Sequence, residues 1–223
     1  MNLALFDLDH TLLPLDSDHE FGEFLIRHEL ADGVTYRARN NAFYEQYCNG
    51  TLVLDEYIAF TTSIWRELDA EAQSALQQTF MEEVILPAIH PQAVELVERH
   101  RAQGDLLAIV TATNEFVTRP IVQALGIADL IAVQLQRDSQ GWFTGEIEGT
   151  PSMREGKVQR LQQWLAAQGL SWADVNTTFY SDSRNDIPLL ERVNHPVATN
   201  PDDTLRAVAL EKGWPILELF PQQ

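Results

Sequence analysis

The sequence predicts an α/β protein with an open, doubly wound parallel sheet and a small helical cap domain inserted into it. Short apolar runs typical of buried strands alternate with segments of helical periodicity, the pattern of a parallel sheet covered by helices. One long stretch, residues 15–88, interrupts this alternation with helical, aromatic-rich sequence. We therefore expect a core formed by residues 1–14 and 89–223 and a cap formed by residues 15–88.

The first half of the core contains two predicted strands and a helix between them. Residues 3–8 and 106–110 are short apolar runs, as expected of strands buried in a parallel sheet. Residues 91–103 predict a helix, because Pro91 favours its first turn and Gly104 its end.

The second half of the core continues this alternation. Residues 117–125 and 157–168 predict helices, and each is followed by a glycine. The remaining strand candidates are 130–135 and 142–147, which we expect to pair across the turn 138–141, and then 177–180 and 196–199. In such sheets ligands bind beyond the carboxyl ends of the strands, so polar residues at those ends are candidate site residues.

The composition is strongly acidic, with a formal net charge of −18 over 223 residues. Binding to a nucleic-acid backbone normally needs a basic surface, so we expect no nucleic-acid partner. An acidic chain also repels anionic ligands. A site for a small phosphorylated metabolite would therefore have to hold its own cations.

No segment is typical of a membrane span or an export signal. No apolar run approaches the ~18 residues of a membrane helix, and Asp7 comes early, without a basic segment before it. The single cysteine, Cys48, excludes an internal disulfide, which is typical of a reducing compartment. We expect a cytoplasmic protein that does not bind a membrane, and the sequence favours no particular oligomeric state.

Asp7 and Asp9 follow the first predicted strand and are two residues apart. Side chains at this spacing point the same way from an extended chain, and two carboxylates so close repel unless a cation neutralises them. One can then attack a polarised phosphorus atom while the other donates and accepts a proton. Alone, such a pair is as often a solvated strand end or a helix cap.

Thr111 and Lys157 are candidate ligands of a phosphate group. Thr111 ends the second predicted strand, so its hydroxyl and the next backbone N–H groups can hold a phosphate at a helix N-terminus. A single threonine there is, however, more often only a helix cap. Lys157 opens a helix, where the helix dipole disfavours a cation. Nearby anions would explain this lysine, although an exposed surface lysine is the commoner case.

Asp182 and Asp186 follow the strand candidate 177–180. Mg²⁺ commonly takes one or two protein carboxylates and completes its shell with water and phosphate oxygens, so Asp182 is a candidate ligand. The alternative is an Asp-Ser-Asn turn that caps the following helix.

These residues form an ordered set at predicted strand ends: Asp7 and Asp9, then Thr111, then Lys157, then Asp182 and Asp186. The set resembles the four motifs of the haloacid dehalogenase superfamily, and the insertion directly after the first motif resembles that of its phosphoserine-phosphatase-like branch. The resemblance covers nearly the whole core portion of the chain. It implies a Rossmann-like core and a phosphatase that uses Mg²⁺ and an aspartyl-phosphate intermediate to hydrolyse small phosphomonoesters.

The resemblance also implies roles for the acidic residues. Asp7 would be the nucleophile and a metal ligand. Asp9 would be the acid/base, and its backbone carbonyl would also bind the metal. Asp182 would complete the metal ligands of the protein, while Asp186 would hold a metal-bound water or pair with Lys157.

The same resemblance implies ligands for the phosphoryl oxygens: Thr111, Ala112, Lys157 and Asn185. The chain departs from its relatives at Ser181, where they often have glycine before the first acid of the last motif. This small change should leave the metal site intact.

Two other functions are compatible with these motifs. A phosphotransferase or phosphomutase would differ only in the group that accepts the phosphoryl. A catalytically idle phosphate-binding or regulatory module would use the same fold, but binding alone needs no paired acids at Asp7 and Asp9.

The cap should determine the substrate, because the core motifs contact the phosphoryl group that all substrates share. In phosphoserine phosphatases an acid shortly after the first motif holds the substrate amine, and a cap arginine holds its carboxylate. Asp16 and Glu20 are candidates for the first role. No arginine stands where the second is expected, and Arg66 is the nearest substitute. We therefore expect substrates without an α-carboxylate, histidinol phosphate being one candidate.

Overall fold

The computed structural model describes residues 1–220. Its strands are β1 (Asn2–Phe6), β2 (Leu106–Asn114), β3 (Asp129–Val133), β4 (Leu135–Arg137), β5 (Phe143–Ile147), β6 (Asn176–Ser181), β7 (His195–Thr199) and β8 (Ile216–Leu217). Its helices are α1 (Ser17–Arg27), α2 (Thr35–Asn49), α3 (Leu54–Thr62), α4 (Ala70–Phe80), α5 (Leu86–Ala88), α6 (Pro91–Ala102), α7 (Glu115–Ala124), α8 (Glu155–Ala167), α9 (Ile187–Leu190) and α10 (Asp203–Lys212). A π-helical turn, Met81–Ile85, joins α4 to α5, and a 3-10 turn, Arg184–Asp186, precedes α9.

Six strands form one parallel sheet in the order β3-β2-β1-β6-β7-β8. The chain extends this sheet from β1 through β2 to β3 on one side, and then from β6 to β8 on the other. The strand order therefore reverses beside β1, and ligands of open α/β sheets bind at such a point, beyond the carboxyl ends of the strands. This topology confirms the predicted doubly wound parallel core.

Helices cover both faces of this sheet, as the alternation of apolar residues in β1 requires. Leu3 and Leu5 pack in one hydrophobic cluster with residues of α8, α9 and α10. Ala4 and Phe6 point to the other face and pack with residues of α6 and α7. Successive side chains of a strand point to opposite faces, so both clusters contain residues of the same short strand.

The predicted pairing of 130–135 with 142–147 is wrong for residues 130–133 and is confirmed only at Leu135, which pairs with Ile147. The first of these segments divides, since Asp129–Val133 runs parallel to β2 at the edge of the main sheet. Only Leu135–Arg137 pairs with Phe143–Ile147, in a separate antiparallel sheet. The physical reason is burial, because Ile131, at 2% exposed, joins the sheet cluster and would lose that packing in a hairpin.

The segment 15–88 runs through α1–α5, and its aromatic side chains join the cluster that covers one face of the sheet. The Phe21 and Phe80 rings meet edge to face with centroids 4.9 Å apart. The Trp65 ring stacks on Phe116 at the start of α7, with centroids 3.7 Å apart.

The division into a core of residues 1–14 and 89–223 and a cap of residues 15–88 stays a prediction, and residues 221–223 of that core lie outside the described residues. No helix within residues 1–220 has the length and apolar character needed to cross a membrane.

Candidate active site

Asp7 lies at the carboxyl end of β1, where its backbone N–H donates to the carbonyl of Tyr180 in β6 at 2.9 Å. This bond continues the strand pairing by one residue and fixes the start of the loop that follows. His10 in that loop has a φ of 54°, in the left-handed region. The chain therefore turns sharply just after Asp9.

Asp9 is buried and held by hydrogen bonds to both of its carboxylate oxygens. Oδ1 accepts from the backbone N–H of Ser17 at 2.8 Å, and Oδ2 accepts from the Thr113 hydroxyl at 2.8 Å. Burial and the nearby charge of Asp16 raise the pKa of Asp9 to about 6, and the hydrogen bonds limit the rise. A carboxyl group with such a pKa can both donate and accept a proton near neutral pH.

Lys157 is buried between two carboxylates. Its Nζ donates to Asp7 Oδ1 at 2.8 Å and to Asp186 Oδ2 at 2.7 Å, and its side chain is 1% exposed. Burial lowers the pKa of Lys157, but the charges of Asp186 and Asp7 outweigh this effect and raise it overall. Lys157 is not a surface lysine, and the two anions explain a cation in the first turn of α8.

Asp182 and Asp186 lie next to Asp7. Burial raises the pKa of Asp182 well above its usual range, and the charges of Asp7 and Asp186 add to the rise. Asp186 Oδ2 also accepts from the Ser181 hydroxyl at 2.7 Å, whereas Asp186 Oδ1 is buried with no hydrogen-bond partner among the described residues. Ser181 thus orients Asp186 where relatives often have glycine.

These donors fit a magnesium ion. Within residues 1–220, no group of three or more His, Cys, Asp or Glu side chains could hold a metal ion by itself. Mg²⁺ needs fewer, because it takes one or two carboxylates together with waters and phosphate oxygens. Asp7 and Asp182 supply two crowded carboxylates against the single positive charge of Lys157. Lys157 alone does not neutralise these carboxylates, and one oxygen of Asp186 has no hydrogen-bond partner in the described part of the chain. Both features favour a cation or an ordered water at this position.

Thr111 lies within β2 and is 1% exposed. It is not the helix cap considered above, because α7 begins after Asn114, whose side chain accepts from the N–H groups of Phe116 and Val117. Thr111 Oγ1 accepts from the backbone N–H of Thr113 at 3.1 Å, and both threonines line the cavity together with Ala112.

Asn185 has a different contact from the one expected. Its amide donates to the backbone carbonyl of Tyr47 in α2 at 3.3 Å, and Asn185 is not among the residues that line the cavity. Here Asn185 joins the inserted helices to the core.

A cavity lies between the sheet end and α1–α3, with about 540 Å³ of space that includes its opening to solvent. It is lined by Asp7, Asp9, Asp16, Asp18, His19, Asn40, Phe43, Tyr44, Tyr47, Leu52, Leu54, Tyr57, Thr111, Ala112, Thr113 and Met153.

The structure separates the cap residues that were predicted to contact substrate. Asp16 lines the cavity, whereas Glu20 does not and lies 3.9 Å from the His19 ring. Arg66 is also outside the cavity lining, and its Nη1 donates to the carbonyl of Thr144 in β5 at 3.0 Å. Of these residues, neither Glu20 nor Arg66 lines the cavity, and their contact with substrate stays a prediction.

Sequence reasoning missed several residues of this site. Thr113 could have been found, because it stands two positions after Thr111 in a strand and points the same way. Thr11, which donates to Asp182 Oδ1 at 3.0 Å, stands two positions after Asp9. Asp18 gave no such signal, since an acid in the first turn of a helix is explained by the helix dipole alone.

Comparison with known proteins agrees with this geometry. A family model described as haloacid dehalogenase-like hydrolase matches residues 4–191. A protein of Neisseria meningitidis serogroup C named histidinol-phosphatase is 43% identical over 217 residues, which cover 97% of this chain and 98% of that protein.

Solved structures show the same fold. A protein of unknown function from Bordetella pertussis Tohama I is 47% identical, with a TM-score of 0.92 and coverage of 98% of this chain and 99% of the other. A substrate-bound phosphoserine phosphatase is 20% identical with a TM-score of 0.67, covering 97% and 92% of the two chains. At that identity the second likeness shows the fold alone.

Proposed function

This chain belongs to the haloacid dehalogenase-like hydrolase family and is a phosphatase, and we propose that it hydrolyses small phosphomonoesters with Mg²⁺ through a phosphorylated Asp7. The observation that carries this proposal is the buried group of Asp7, Lys157 and Asp186 beside Asp182. In this group the carboxylate that we propose as the nucleophile lies next to a fixed cation and to the carboxylate that we propose as a metal ligand.

Asp7 is the proposed nucleophile. Lys157 holds Oδ1 of Asp7 at 2.8 Å and so orients the carboxylate. Attack on phosphorus forms an O–P bond to Asp7 and releases the substrate alcohol. The hydroxyl of Thr111 and the ammonium of Lys157 are donors for the phosphoryl oxygens, whose charge they would balance.

Asp9 is the proposed acid/base. It gives a proton to the leaving alkoxide, and it then removes a proton from the water that hydrolyses the phosphorylated Asp7. The hydrogen bonds from Ser17 and Thr113 fix its carboxyl group for both steps.

Asp7, Asp182 and the backbone carbonyl of Asp9 would hold the magnesium ion. When bound, the ion would neutralise charge on the phosphoryl group and make phosphorus easier to attack. A phosphotransferase would use the same residues, with an alcohol in place of water.

A substrate such as histidinol phosphate is consistent with this site. The relative from Neisseria meningitidis carries that substrate in its name. Among the described residues, none that lines the cavity is arginine or lysine, so the arginine that holds the carboxylate in phosphoserine phosphatases has no counterpart there.

The test combines metal removal with Asp7→Asn. We expect release of inorganic phosphate from histidinol phosphate or p-nitrophenyl phosphate to require Mg²⁺, to stop in excess chelator and to return when Mg²⁺ is restored. Asp7→Asn should fold but release no phosphate above background, because an amide does not attack phosphorus.

Two results would contradict the proposal. Full turnover in chelator would exclude the metal, and an active Asp7→Asn would exclude the covalent intermediate. Transfer of phosphate to an added alcohol in preference to water would identify a phosphotransferase instead.

A further inference from the structure

Arg154 has a backbone conformation that favours glycine. Its φ of 52° and ψ of −124° match the first central position of a type II′ turn, and the N–H of Gly156 closes that turn by donating to the carbonyl of Met153 at 2.9 Å. Glycine is the usual residue at this position, because a side chain there is crowded by the backbone. Strained residues persist only where surrounding contacts hold them, and they cluster at functional sites.

The turn that contains Arg154 leads directly into the first turn of α8. The carbonyl of Arg154 accepts from the N–H of Lys157 at 3.0 Å. At the other end of the turn, the Ser152 hydroxyl donates to the carbonyl of Thr111 at 2.6 Å. The backbone around Arg154 is therefore bonded to both Thr111 and Lys157, the two side chains that we propose as donors to the phosphoryl oxygens.

The side chain of Arg154 extends from the core to the inserted helices. Its Nη2 donates to the carbonyl of Gly50, the residue at which α2 ends. Gly50 has a φ of 74°, and a Cβ on it would lie 3.0 Å from Arg154 Nη2, so only a glycine leaves full room for this contact. The Asn185 amide adds a second contact at the same helix end, to the carbonyl of Tyr47.

The helix that Arg154 contacts forms one wall of the cavity. Four side chains of α2 line the cavity: Asn40, Phe43, Tyr44 and Tyr47. Arg154 itself is outside the cavity lining. Its carbonyl accepts from the Lys157 N–H and its guanidinium donates to the end of α2, so one residue connects this wall to the lysine. The contact fixes how far the aromatic rings of α2 stand from the proposed phosphoryl position.

Charge alone does not explain Arg154. A cation near the C-terminal end of a helix is favourable, and α2 has no basic residue in its own last turn. However, Arg184 also supplies a cation there, since its Nη2 lies 3.5 Å from the position of a Gly50 Cβ. The helix dipole also gives no reason for a strained backbone at Arg154. The strain is explained if the position of the guanidinium matters and not only its charge.

We propose that Arg154 is a positioning residue, which holds the α2 wall of the cavity at a fixed distance from Lys157 and thereby favours substrates whose alcohol part contacts that wall. This inference rests on the proposed phosphatase function. It adds a residue that acts on substrate choice through α2, without touching the reacting atoms.

The first arm of the test compares ethyl phosphate with 2-phenylethyl phosphate, which differs only by a ring that can reach the α2 wall. The unmodified enzyme should have the higher kcat/KM for the phenyl ester. We expect Arg154→Ala to lower the ratio of phenylethyl to ethyl kcat/KM by about 10- to 100-fold, the range for a hydrogen bond to a charged group. The loss should come mainly from KM for the phenyl ester, while kcat/KM for ethyl phosphate stays close to that of the unmodified enzyme.

The second arm uses Arg154→Gly, which separates position from stability. Glycine removes the guanidinium as alanine does, but it also removes the strain, so Arg154→Gly should unfold at a higher temperature than Arg154→Ala. The substrate ratio should nevertheless be as low in Arg154→Gly as in Arg154→Ala. Arg154→Lys keeps a charged donor and should recover part of the ratio. Arg119→Ala, which removes a half-exposed guanidinium of α7, is the control and should keep the full ratio.

Hydrogen exchange tests the contact without using activity. The N–H of Thr51 donates to the carbonyl of Gln46 at 2.8 Å, at the end of α2 that Arg154 holds. This N–H should exchange faster in Arg154→Ala and Arg154→Gly than in the unmodified enzyme, because the end of α2 opens more easily.

The outcomes separate this inference from the proposed function. If the unmodified enzyme hydrolyses both esters equally well, or if the Ala and Gly variants keep the phenyl preference, the inference is wrong while the phosphatase function stands. If the ratio recovers in the more stable Arg154→Gly, Arg154 acts only through stability and the inference is also wrong. If no phosphomonoester is hydrolysed in Mg²⁺, the proposed function fails, and unchanged exchange at Thr51 would show separately that Arg154 does not hold α2.

Discussion

At the scale of single residues, Asp7 and Asp9 differ in what surrounds them, although only one residue separates them. Asp7 contacts a buried cation, Lys157, at 2.8 Å. Asp9 accepts only from neutral donors, the backbone of Ser17 and the Thr113 hydroxyl. Lys157 orients the Asp7 carboxylate, whereas burial and the nearby charge of Asp16 raise the pKa of Asp9 and keep its carboxyl group able to hold a proton. Their environments therefore support different roles for two identical side chains.

We predict that Asp9→Asn lowers kcat for alkyl phosphates by about 10²- to 10⁴-fold, the usual loss when a positioned acid/base is removed. The amide can still accept from Ser17 and can donate to Thr113, so the fold should be kept. In single-turnover experiments the loss should be much smaller with p-nitrophenyl phosphate, whose leaving group needs no proton. An equal loss with both esters would show that Asp9 does not act as the acid.

The residues of the site were predictable from sequence to different degrees. Lys157 could be suspected, because a cation at a helix start is unfavourable unless anions lie nearby. The resemblance to the family implied Asp186 as one possible partner, but the contact with Asp7 was not predicted, since Asp7 and Lys157 are 150 positions apart and meet only in the folded sheet. Asp18 was not predictable as a cavity residue, because an acid in the first turn of a helix is explained by the helix dipole alone.

At the scale of secondary-structure elements, Trp65 joins the inserted helices to the core. It follows α3, is fully buried, and contacts Phe116 of α7 and Phe143 of β5. Its indole Nε1 is buried without a hydrogen-bond partner in the described part of the chain. The stabilisation that Trp65 provides thus comes from ring packing and not from its N–H group.

We predict that Trp65→Ala lowers the free energy of unfolding by about 3–5 kcal/mol, the usual cost of removing a large buried aromatic side chain. Trp65→Phe should cost clearly less, because it keeps a stacked ring and removes an unsatisfied N–H group. Urea denaturation of both variants measures the difference. Leu210→Ala, at a side chain that is 70% exposed, is the control and should change stability by less than about 0.5 kcal/mol. Equal losses in the two Trp65 variants would contradict this account.

Elements with strong local signals were predicted well. The helix predicted at 91–103 is α6, Pro91–Ala102, since proline and glycine mark its ends. The strand predicted at 106–110 instead continues to Asn114. Thr111 and Thr113 within it gave no apolar signal, yet both belong to the strand and line the cavity. Pairing partners were least predictable, because 130–135 contains residues of both sheets and only tertiary packing divides them.

At the scale of the whole molecule, the net charge of −18 acts on every ligand that approaches. A phosphomonoester of a neutral alcohol is a dianion near neutral pH and is repelled. An amino alcohol phosphate carries one compensating positive charge and is repelled less. Long-range charge therefore favours phosphomonoesters whose alcohol carries a positive charge.

We predict that kcat/KM for propyl phosphate rises as ionic strength increases from about 0.01 to 0.15 M, because salt shortens the screening length from about 30 to 8 Å. The rise should be smaller for 2-aminoethyl phosphate. Both series are measured at one saturating Mg²⁺ concentration, with kcat at saturating substrate as the control for effects on the chemical step. A fall in kcat/KM with salt for propyl phosphate would contradict a repulsive field.

The central position of β1 also has a consequence for how the chain folds as it is made. Leu3 pairs with Leu106 on one side and with Thr177 on the other, so β1 is synthesised before both of its partner strands and waits for them. Closing such long loops is entropically costly, and topologies rich in distant contacts fold slowly. During that wait the unpaired strand is exposed to other chains. Asp7 and Asp9 place two negative charges beside its apolar run. Charges in this position discourage aggregation of an unpaired strand, so these two residues act during folding, before the catalytic centre has formed.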